Sequence, residues 1–345
     1  MTKHRVTIKE LAKELKISTS TVSRALGDKW DVNPETRKAV LELAEKWNYR
    51  PNPISLSLKQ QQTMTIGVVI PEFMNTFFPE VIIGIQSTLE AEGYSILISQ
   101  SNESSEKELK NIKNLEARLV DGFIISLTGV SVNTEYLQKL LDRNTPLVLF
   151  NRVCDSLDSP RVVINDYKWA FEAVEHLIDQ GFKKIVHLAG PDNLQLSRQR
   201  KKGYIDALQK HNFPVEDKFI IPCGLVMEKD VLAAHRILEM EEKPDAIFAV
   251  NDPVAIGAMK TLQKNGVNIP KDMGVVGFSE SQMAMIVEPN LTSVEQPTFE
   301  MGKIAAELLL EQLKNKKDEA VLNKCITLNA RLNIRESSLR NGVIK

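Results

Sequence analysis

Apolar residues in the first 50 positions recur at the three- and four-residue spacing of amphipathic helices. Thr7 and Glu10 form a capping-box pattern at the start of the first run, whose apolar positions are Ile8, Leu11, Ala12 and Leu15. After a turn at Lys16 and Ile17, Ser18 is placed to cap a second run, whose inward positions are Val22, Ala25 and Leu26. This pattern predicts a helix-turn-helix.

The outward positions of the second helix carry hydroxyl groups and one guanidinium: Thr19, Ser20, Thr21, Ser23 and Arg24. Such side chains reach phosphates and base edges in a major groove, where Arg donates two parallel hydrogen bonds to guanine. An ordinary surface helix rich in Ser and Thr has the same pattern. The face alone therefore leaves both interpretations open.

A third helix and a proline-containing segment follow. Asn33 and Pro34 form a helix start, and the helix they open has an apolar face of Val40, Leu43, Ala44 and Trp47. Asn52 and Pro53 start a further helix of only about two turns, which is marginal in isolation. This segment is either a hinge that folds when a partner holds it or a plain linker.

Strand and helix patterns alternate from Thr65 onward, after the pattern loosens near residue 62. The alternation predicts two α/β lobes of parallel sheet, with a ligand cleft beyond the carboxyl ends of the strands. The predicted strands are 65–70, 94–99, 121–126, 147–150, 161–164, 184–188, 218–221, 245–250, 273–278, 291–295 and one within 323–334. The predicted helices are 79–91, 104–118, 133–142, 167–179, 195–211, 229–239, 253–265 and 298–314.

Charge is distributed unevenly along the 345 residues, although the net charge is only −1. Residues 1–62 hold 12 Lys and Arg against 7 Asp and Glu, whereas the remainder holds 32 against 38. The basic excess therefore lies with the helix-turn-helix, as attraction to phosphates requires. The length predicts two or three compact units, and 43% apolar residues supply their cores.

Several other function classes lack their sequence signals. Cys154, Cys223 and Cys325 are far apart, so we expect neither a metal site nor a disulfide framework. An apolar signal core and a membrane-length apolar run are both missing, which predicts a cytoplasmic protein that does not contact the membrane. The common nucleotide-binding and nucleophile motifs are also missing, and the five His residues are dispersed. We therefore expect no cofactor, no catalytic residues and no enzyme activity.

Several stretches along the chain together carry a family resemblance. In the first 59 residues they are Thr7-Ile8-Lys9-Glu10-Leu11-Ala12, Ser18-Thr19-Ser20-Thr21-Val22-Ser23-Arg24-Ala25-Leu26 and Asn48-Tyr49-Arg50-Pro51-Asn52. Downstream they are Gly181-Phe182-Lys183-Lys184-Ile185, Ala249-Val250-Asn251-Asp252, Val275-Val276-Gly277-Phe278 and Pro289-Asn290-Leu291-Thr292-Ser293-Val294. On these residues the chain resembles the lac repressor (LacI/GalR) family of bacterial transcriptional regulators, and the resemblance covers nearly the whole chain.

It implies an all-α helix-turn-helix headpiece over 1–50, a hinge helix and linker over 51–62, and a core over 63–345. The core would be a doubly wound, two-lobed α/β fold like type I periplasmic binding proteins, with three crossovers between the lobes. We expect lobe 1 over about 63–163 and 291–320, and lobe 2 over about 164–290 and 321–345.

The resemblance also implies a homodimer on pseudo-palindromic operator DNA, each headpiece reading one half-site. Base contacts would come from Thr19, Ser20 and Arg24. Phosphate contacts would come from Thr7, Thr21, Ser23, Asn33 and Tyr49. At the hinge, Leu58 would wedge into the minor groove beside Ser55. The chain departs from the family pattern at Ser55 and Leu56, at Lys16, which replaces a common turn Gly, and at Gly27, which replaces an Asn.

The family's effector positions fall on Phe77, Phe78, Ser126, Asn151, Arg200, Asn251 and Ser279. Amide, hydroxyl and guanidinium groups are what sugar hydroxyls or a carboxylate need for oriented hydrogen bonds. Phe78 is equally suited to the core, and Asp166 and Asp252 are better read as helix N-caps than as ligands. Ser279 and Glu280 stand where sugar-binding members commonly have Asp, so an acidic or phosphorylated sugar bound by Arg200 is one hypothesis.

The function predicted is a transcriptional regulator, a repressor in the first instance, whose operator affinity a small ligand changes. Two alternatives remain open at this point. One is a solute-binding protein with an incidental helical N-terminus, against which the basic N-terminal segment and the missing signal peptide argue. The other is a sugar-modifying α/β enzyme, for which the sequence shows no catalytic constellation.

Overall fold

The computed structural model describes residues 6–27, 32–50, 62–129, 133–225, 227–314 and 324–340. The chain forms two compact units, Met1–Thr63 and Met64–Lys345. The first unit is helical and the second is α/β with two sheets, which confirms the fold class expected from the sequence.

The first unit is built from α1 (Ile8–Glu14), α2 (Thr19–Leu26) and α3 (Pro34–Lys46). Each helix begins at a side-chain cap, from Thr7, Ser18 and Asn33 respectively. The capping box of α1 is complete, because the backbone N–H of Thr7 donates to Oε2 of Glu10 at 2.7 Å and the Thr7 hydroxyl accepts from the Glu10 N–H. The buried core of the unit consists of Leu11, Ala12, Val22, Ala25, Val40 and Ala44.

The turn between α1 and α2 has a left-handed backbone at Lys16, where φ is 53°. A side chain is disfavoured there and glycine is not. The departure from the common turn Gly noted in the sequence therefore falls on a position at which glycine would relieve strain. The turn is closed by the Ile17 N–H, which donates to the carbonyl of Ala12 at 3.1 Å.

In the described part of the second unit, each lobe contains a six-stranded sheet. The first sheet has the order β11-β5-β4-β3-β1-β2, and the second has the order β12-β10-β9-β8-β6-β7. The strands of the first sheet are β1 (Thr65–Ile70), β2 (Ser95–Gln100), β3 (Gly122–Ile125), β4 (Leu147–Phe150), β5 (Arg161–Ile164) and β11 (Cys325–Leu328). Those of the second are β6 (Ile185–Ala189), β7 (Ile220–Pro222), β8 (Ala246–Ala249), β9 (Gly274–Phe278), β10 (Thr292–Glu295) and β12 (Arg331–Asn333).

The strands are paired in parallel, except that β12 runs antiparallel to β10. The helices of this unit are α4 (Phe77–Ala91), α5 (Ser105–Ala117), α6 (Thr134–Asp142), α7 (Asp166–Asp179), α8 (Gln195–Lys210), α9 (Met227–Glu239), α10 (Asp252–Lys264) and α11 (Thr298–Lys314). Most successive parallel strands are connected by an α-helix, which is the expected βαβ arrangement, whereas the β4–β5 and β9–β10 connections contain none.

Two expectations about the end of the chain are wrong. The single strand expected within 323–334 is two strands, β11 and β12, which belong to different sheets. The strand expected at 291–295 lies in the second lobe, because Thr292 pairs with Val276 of β9, and β11 lies in the first, because Cys325 pairs with Arg161 of β5. The division into 291–320 and 321–345 therefore assigned both strands to the wrong lobe.

Within the described residues the chain crosses between the two sheets three times: after β5, after β10 and after β11. The first crossover enters α7 at Asn165 and Asp166, directly after Ile164 ends β5. No helix of the described residues is long and apolar enough to cross a membrane.

Candidate DNA-reading helix and ligand cleft

Helix α2 has one apolar and one polar face. Val22 and Ala25 are buried against α1 and α3, whereas Thr19, Ser20 and Arg24 are exposed. Thr21 and Ser23, which the resemblance assigns to phosphate contacts, are half-buried. The structure therefore places the three expected base readers furthest into solvent.

The cap of α2 holds this face in place. Oγ of Ser18 accepts the backbone N–H of Thr21 at 3.0 Å and lies 2.7 Å from the Ser20 hydroxyl and 2.8 Å from the Thr21 hydroxyl. Three hydroxyl groups thus share one cluster at the start of the helix, where the backbone N–H groups and the helix dipole favour an anion. A phosphate at this end of α2 would meet both.

The other expected phosphate contacts lie in the same unit. Thr7 and Asn33 are exposed N-caps of α1 and α3, and Asn33 Oδ1 accepts the Glu35 N–H at 2.8 Å. Tyr49 is half-buried against the helical core. Ser55 and Leu58, the expected hinge contacts, lie outside the described residues.

A cleft of about 460 Å³, part of it open to solvent, lies in the second unit between the two lobes. The first lobe contributes Glu72, Asn75, Phe77, Phe78, Glu103, Asn151 and Arg152 to its lining. The second lobe contributes Leu196, Arg200, Leu225, Asn251, Ser279 and Gln296. Most of these residues follow the carboxyl end of a strand, where an open α/β sheet binds its ligands. Six of the seven residues expected to contact an effector lie here.

Ser126 is the exception among those seven, because it does not line the cleft. It follows β3, is fully buried, and its hydroxyl has no hydrogen-bond partner. Its backbone N–H donates to the carbonyl of Val69 at 2.9 Å, which extends the sheet by one residue. Ser126 is therefore buried at the end of the sheet and does not line the cleft.

Arg200 is buried, with 3% of its surface exposed, and all three of its guanidinium nitrogens already have a polar partner. Its Nε and Nη2 lie 2.8 and 2.7 Å from Oδ1 of Asp166, and its Nη1 donates to the carbonyl of Val250 at 2.6 Å. The guanidinium also lies over the ring of Phe278, 3.6 Å from its centroid. Since a guanidinium has five N–H donors, two remain, one on each terminal nitrogen.

Burial dominates the electrostatics of this ion pair. Desolvation lowers the pKa of Arg200 and raises the pKa of Asp166, and the attraction between the two groups opposes both shifts. Asp166 is thus an ion-pair partner and the first residue of α7, whose N-cap is Asn165. The interpretation of Asp166 as an N-cap is wrong by one residue.

The same correction applies at α10, three helices further along the chain. Asn251 caps α10, accepting the Val254 N–H at 3.1 Å, and its amide donates to the carbonyl of Leu225 at 2.9 Å. Asp252 is fully buried behind it, accepting from the Ser293 hydroxyl and the Ser281 N–H at 2.6 Å each. Burial raises the pKa of Asp252 to about 7.

Sequence reasoning missed a second arginine in the cleft. Arg152 is buried and forms a two-point ion pair with Glu103, at 2.8 and 3.0 Å, and its guanidinium lies 5.6 Å from the ring centroid of Phe78. Burial raises the pKa of Glu72, which lies near this pair. The signal available in the sequence was the position of Arg152 directly after Asn151, at the end of a strand.

The loop after β9 supplies a polar wall. Ser279 has φ of 103°, and its hydroxyl accepts from Nε2 of Gln296 at 3.1 Å. Oε1 of Gln296 is buried without a hydrogen-bond partner, so it is an acceptor to which a ligand O–H can donate. Glu280 is held by Arg335 and does not line the cleft. It is therefore not placed to bind a sugar diol.

Two family descriptions match the chain. Residues 7–52 match bacterial regulatory proteins of the lacI family, and residues 63–335 match the periplasmic binding proteins and sugar binding domain of the LacI family. Catabolite control protein A of Priestia megaterium is 35% identical over 334 residues, which cover 96% of this chain and 99% of that protein. The HTH-type transcriptional repressor PurR of Vibrio atlanticus is 33% identical over 315 residues, 91% of this chain and 93% of its own.

Among solved structures, the fold is similar to that of the lac repressor dimer bound to operator and the anti-inducer ONPF. The TM-score is 0.85 at 23% identity, over 97% of this chain and 100% of that one. The matched relatives are transcriptional regulators and not enzymes. The described residues contain no cluster of three His, Cys, Asp or Glu side chains that could hold a metal ion.

Proposed function

Because the chain belongs to the lacI family of bacterial regulatory proteins and is a DNA-binding transcriptional regulator, we propose that it is an effector-controlled repressor. In this proposal Thr19, Ser20 and Arg24 read bases, whereas Thr7, Thr21, Ser23, Asn33 and Tyr49 contact phosphates. The observation that carries the proposal is the exposed polar face of α2 in a chain that also holds a two-lobed ligand cleft. Acting on genomic DNA, the protein would work in the bacterial cytoplasm.

We propose a homodimer as the operator-binding form. The outer strand β2 of the first sheet exposes Leu97 and Ile98, and α4 exposes Ile83. An edge strand with apolar side chains in solvent is suited to pairing with another chain. The solved relative is a dimer on its operator, and two headpieces in a dimer would address two half-sites.

The effector proposed is a small polyhydroxylated ligand, with a sugar acid as the more specific form. Arg200 keeps two N–H donors, Arg152 keeps three, and Gln296 offers an unpartnered acceptor. Hydroxyl groups satisfy the acceptor, and a carboxylate suits the two cations. Phe77, Phe78, Asn151, Asn251 and Ser279 would form the remaining contacts. Ser126 does not line the cleft, so no direct contact with the ligand is proposed for it.

Closure of the cleft around this ligand would change the relative position of the lobes and so the operator affinity. A ligand shifts the equilibrium between the open and the closed cleft only by the difference in its affinity for these two states. We propose that the signal reaches DNA through the hinge near residue 62, with Ser55 and Leu58 as its minor-groove contacts. Whether the ligand strengthens or weakens operator binding follows from which state it favours.

The test is binding of the full chain to genomic fragments, measured by fluorescence anisotropy with and without a ligand panel. The panel contains D-glucose, D-galactose, D-glucuronate and D-galacturonate. We expect saturable binding to selected fragments and a change in affinity with at least one ligand. Absence of fragment selectivity would contradict the DNA-reading proposal.

Isothermal titration of the same panel tests the ligand class. Tight binding of neutral hexoses together with no binding of uronic acids would contradict the sugar-acid proposal. Arg200→Met should lower uronate affinity at least tenfold. Arg198→Met is the matched control, because Arg198 lies on the same helix but is exposed and does not line the cleft.

A further inference from the structure

We infer that Asp166 is a positioning residue, which ties the ligand cleft to the first crossover between the lobes through its ion pair with Arg200. The inference rests on the proposed function, because it concerns how a ligand in the cleft acts on the lobes. It adds a role to a residue that does not line the cleft itself.

Asp166 lies where the chain leaves the first lobe. β5 ends at Ile164, and Asp166 is the first residue of α7, which packs against α8 and the strands of the second lobe. Its side chain is 12% exposed, and its Oδ1 lies within 2.8 Å of both Nε and Nη2 of Arg200. The crossover is thus anchored to α8 by a charge-assisted, two-donor contact.

Arg200 connects this anchor to the cleft. Its Nη1 donates to the carbonyl of Val250, directly after β8, and its plane covers Phe278, the last residue of β9. One guanidinium therefore holds a crossover and two strand ends of the second lobe together. The two N–H donors that remain belong to the same rigid plane. An acceptor that binds them therefore also constrains the position of Asp166.

Arg152 provides a natural comparison within the cleft. It is similarly buried, with a side-chain exposure of 7% against 3% for Arg200, and it also forms a two-point carboxylate pair. Its partner Glu103 lies in the first lobe, as Arg152 does, in the loop between β2 and α5. Removing Arg152 breaks an ion pair in the cleft without touching a crossover, although Glu103 is more exposed than Asp166, at 34% against 12%.

Amide hydrogen exchange on the ligand-free full chain tests the anchor. The reporters are the amides of Lys168 and Trp169, which donate to Asn165 at 2.9 and 3.1 Å at the start of α7. In Arg200→Met we expect both to exchange at least tenfold faster than in the wild type. In Arg152→Met they should stay within threefold. The Lys107 amide, bound to the Ser104 cap of α5, is the internal reference in the first lobe.

Asp166→Asn keeps the shape and one acceptor but removes the charge, so it tests the pair if Arg200→Met does not fold. It should speed exchange at Lys168 and Trp169 at least threefold. If both amides in Asp166→Asn stay at the wild-type rate, or if Arg152→Met speeds them as much as Arg200→Met does, the inference is overturned.

A second arm adds D-glucuronate at saturation. In the wild type we expect at least threefold slower exchange at the two reporter amides, and in Asp166→Asn we expect no slowing although the affinity from titration stays within threefold. Equal slowing in both proteins would overturn the inference. A wild type that does not bind D-glucuronate would instead contradict the sugar-acid proposal, while the ligand-free arm still decides the role of Asp166.

Discussion

At the scale of single residues, Arg24 is the side chain through which the headpiece is expected to distinguish bases. It is exposed on α2, and an Arg that bonds two atoms of a guanine edge loses both bonds on truncation. Arg24→Ala should therefore weaken operator binding by ~1–3 kcal/mol and relax specificity at one base pair per half-site. Anisotropy titrations against an operator and its single-base variants measure both effects.

Lys38→Ala is the control for Arg24→Ala. Lys38 is exposed on α3, 4.0 Å from Glu42, and no base contact is expected from it. Its removal should change affinity for all sequences alike. A uniform loss with Arg24→Ala, equal on operator and random DNA, would assign that residue to phosphate contact instead.

Asp252 makes the stability of the core depend on pH. Burial raises its pKa to about 7, the nearby Glu280 carboxylate contributes to the rise, and the donors Ser281 and Ser293 oppose it. Between the ordinary pKa near 3.8 and this value, the folded state holds a proton that the unfolded state has lost. The contribution of Asp252 to stability is therefore present below this window and is lost as the pH rises through it.

Asp252→Asn removes that dependence and keeps the shape, since an amide can accept from Ser281 and donate to Ser293. Relative to the wild type, the variant should gain roughly 2 kcal/mol in free energy of unfolding between pH 5 and pH 7, at 1.36 kcal/mol per pH unit. Urea unfolding at the two pH values measures this change. A stability difference that is the same at both would show that Asp252 does not titrate in this range.

The residues of the cleft show what local patterns resolve and what they do not. Asn151 and Ser279 directly follow strands, and strand ends are readable from apolar runs, whereas Arg200 lies within α8. The choice between Asn165 and Asp166 as cap depends on where a helix begins to within one residue, which propensity does not settle. Ser126 also follows a strand, but the sheet continues through its backbone and the residue does not line the cleft.

At the scale of elements, α4 and α11 pack so closely that their backbones meet at two glycines. A Cβ on Gly302 would overlap the carbonyl oxygen of Val81, and one on Gly84 would overlap that of Phe299. Each glycine thus faces the other helix, and neither position has room for a side chain. The sequence predicted this helix over 298–314, but not an approach this close.

Gly302→Ala should force the two helices apart and lower the free energy of unfolding by about 1–3 kcal/mol or more, the usual cost of overpacking. Urea unfolding of the full chain measures it. Ser87→Ala on α4 removes a hydroxyl that bonds only within its own helix, and it should cost less than about 0.5 kcal/mol. If Gly302→Ala cost no more than Ser87→Ala, the helices would have room to move apart freely.

The strands at the end of the chain define where prediction from sequence stops. β10 and β11 were recognisable as strands, but their sheets were not, because the pairing of a short strand depends on contacts distant in sequence. β11 pairs with β5, more than 150 residues earlier along the chain. The apolar pattern of β11 alone does not show which of the two sheets it joins.

At the scale of the whole molecule, the chain separates reading of DNA from binding of ligand into two compact units with opposite net charges. The basic excess of residues 1–62 makes the operator affinity fall with salt, because bound counterions are released from DNA on binding. The cleft is screened from salt by burial of its cations, Arg152 and Arg200. The two binding activities should therefore respond differently to ionic strength.

The stabilities of the two units should also be separable by mutation. Val40 and Val148 are both fully buried, the first in the helical core of Met1–Thr63 and the second in the first lobe of Met64–Lys345. Val40→Ala should lower the free energy of unfolding of the small unit by about 2 kcal/mol, because it removes two buried methyl groups. Only the melting temperature of that unit should fall. Operator affinity should fall with it at 37 °C, while ligand affinity stays unchanged. Val148→Ala should instead lower the melting temperature of the large unit and the affinity for the ligand. Calorimetry of the full chain distinguishes the outcomes: a single transition that both variants shift equally would mean that the two units unfold as one.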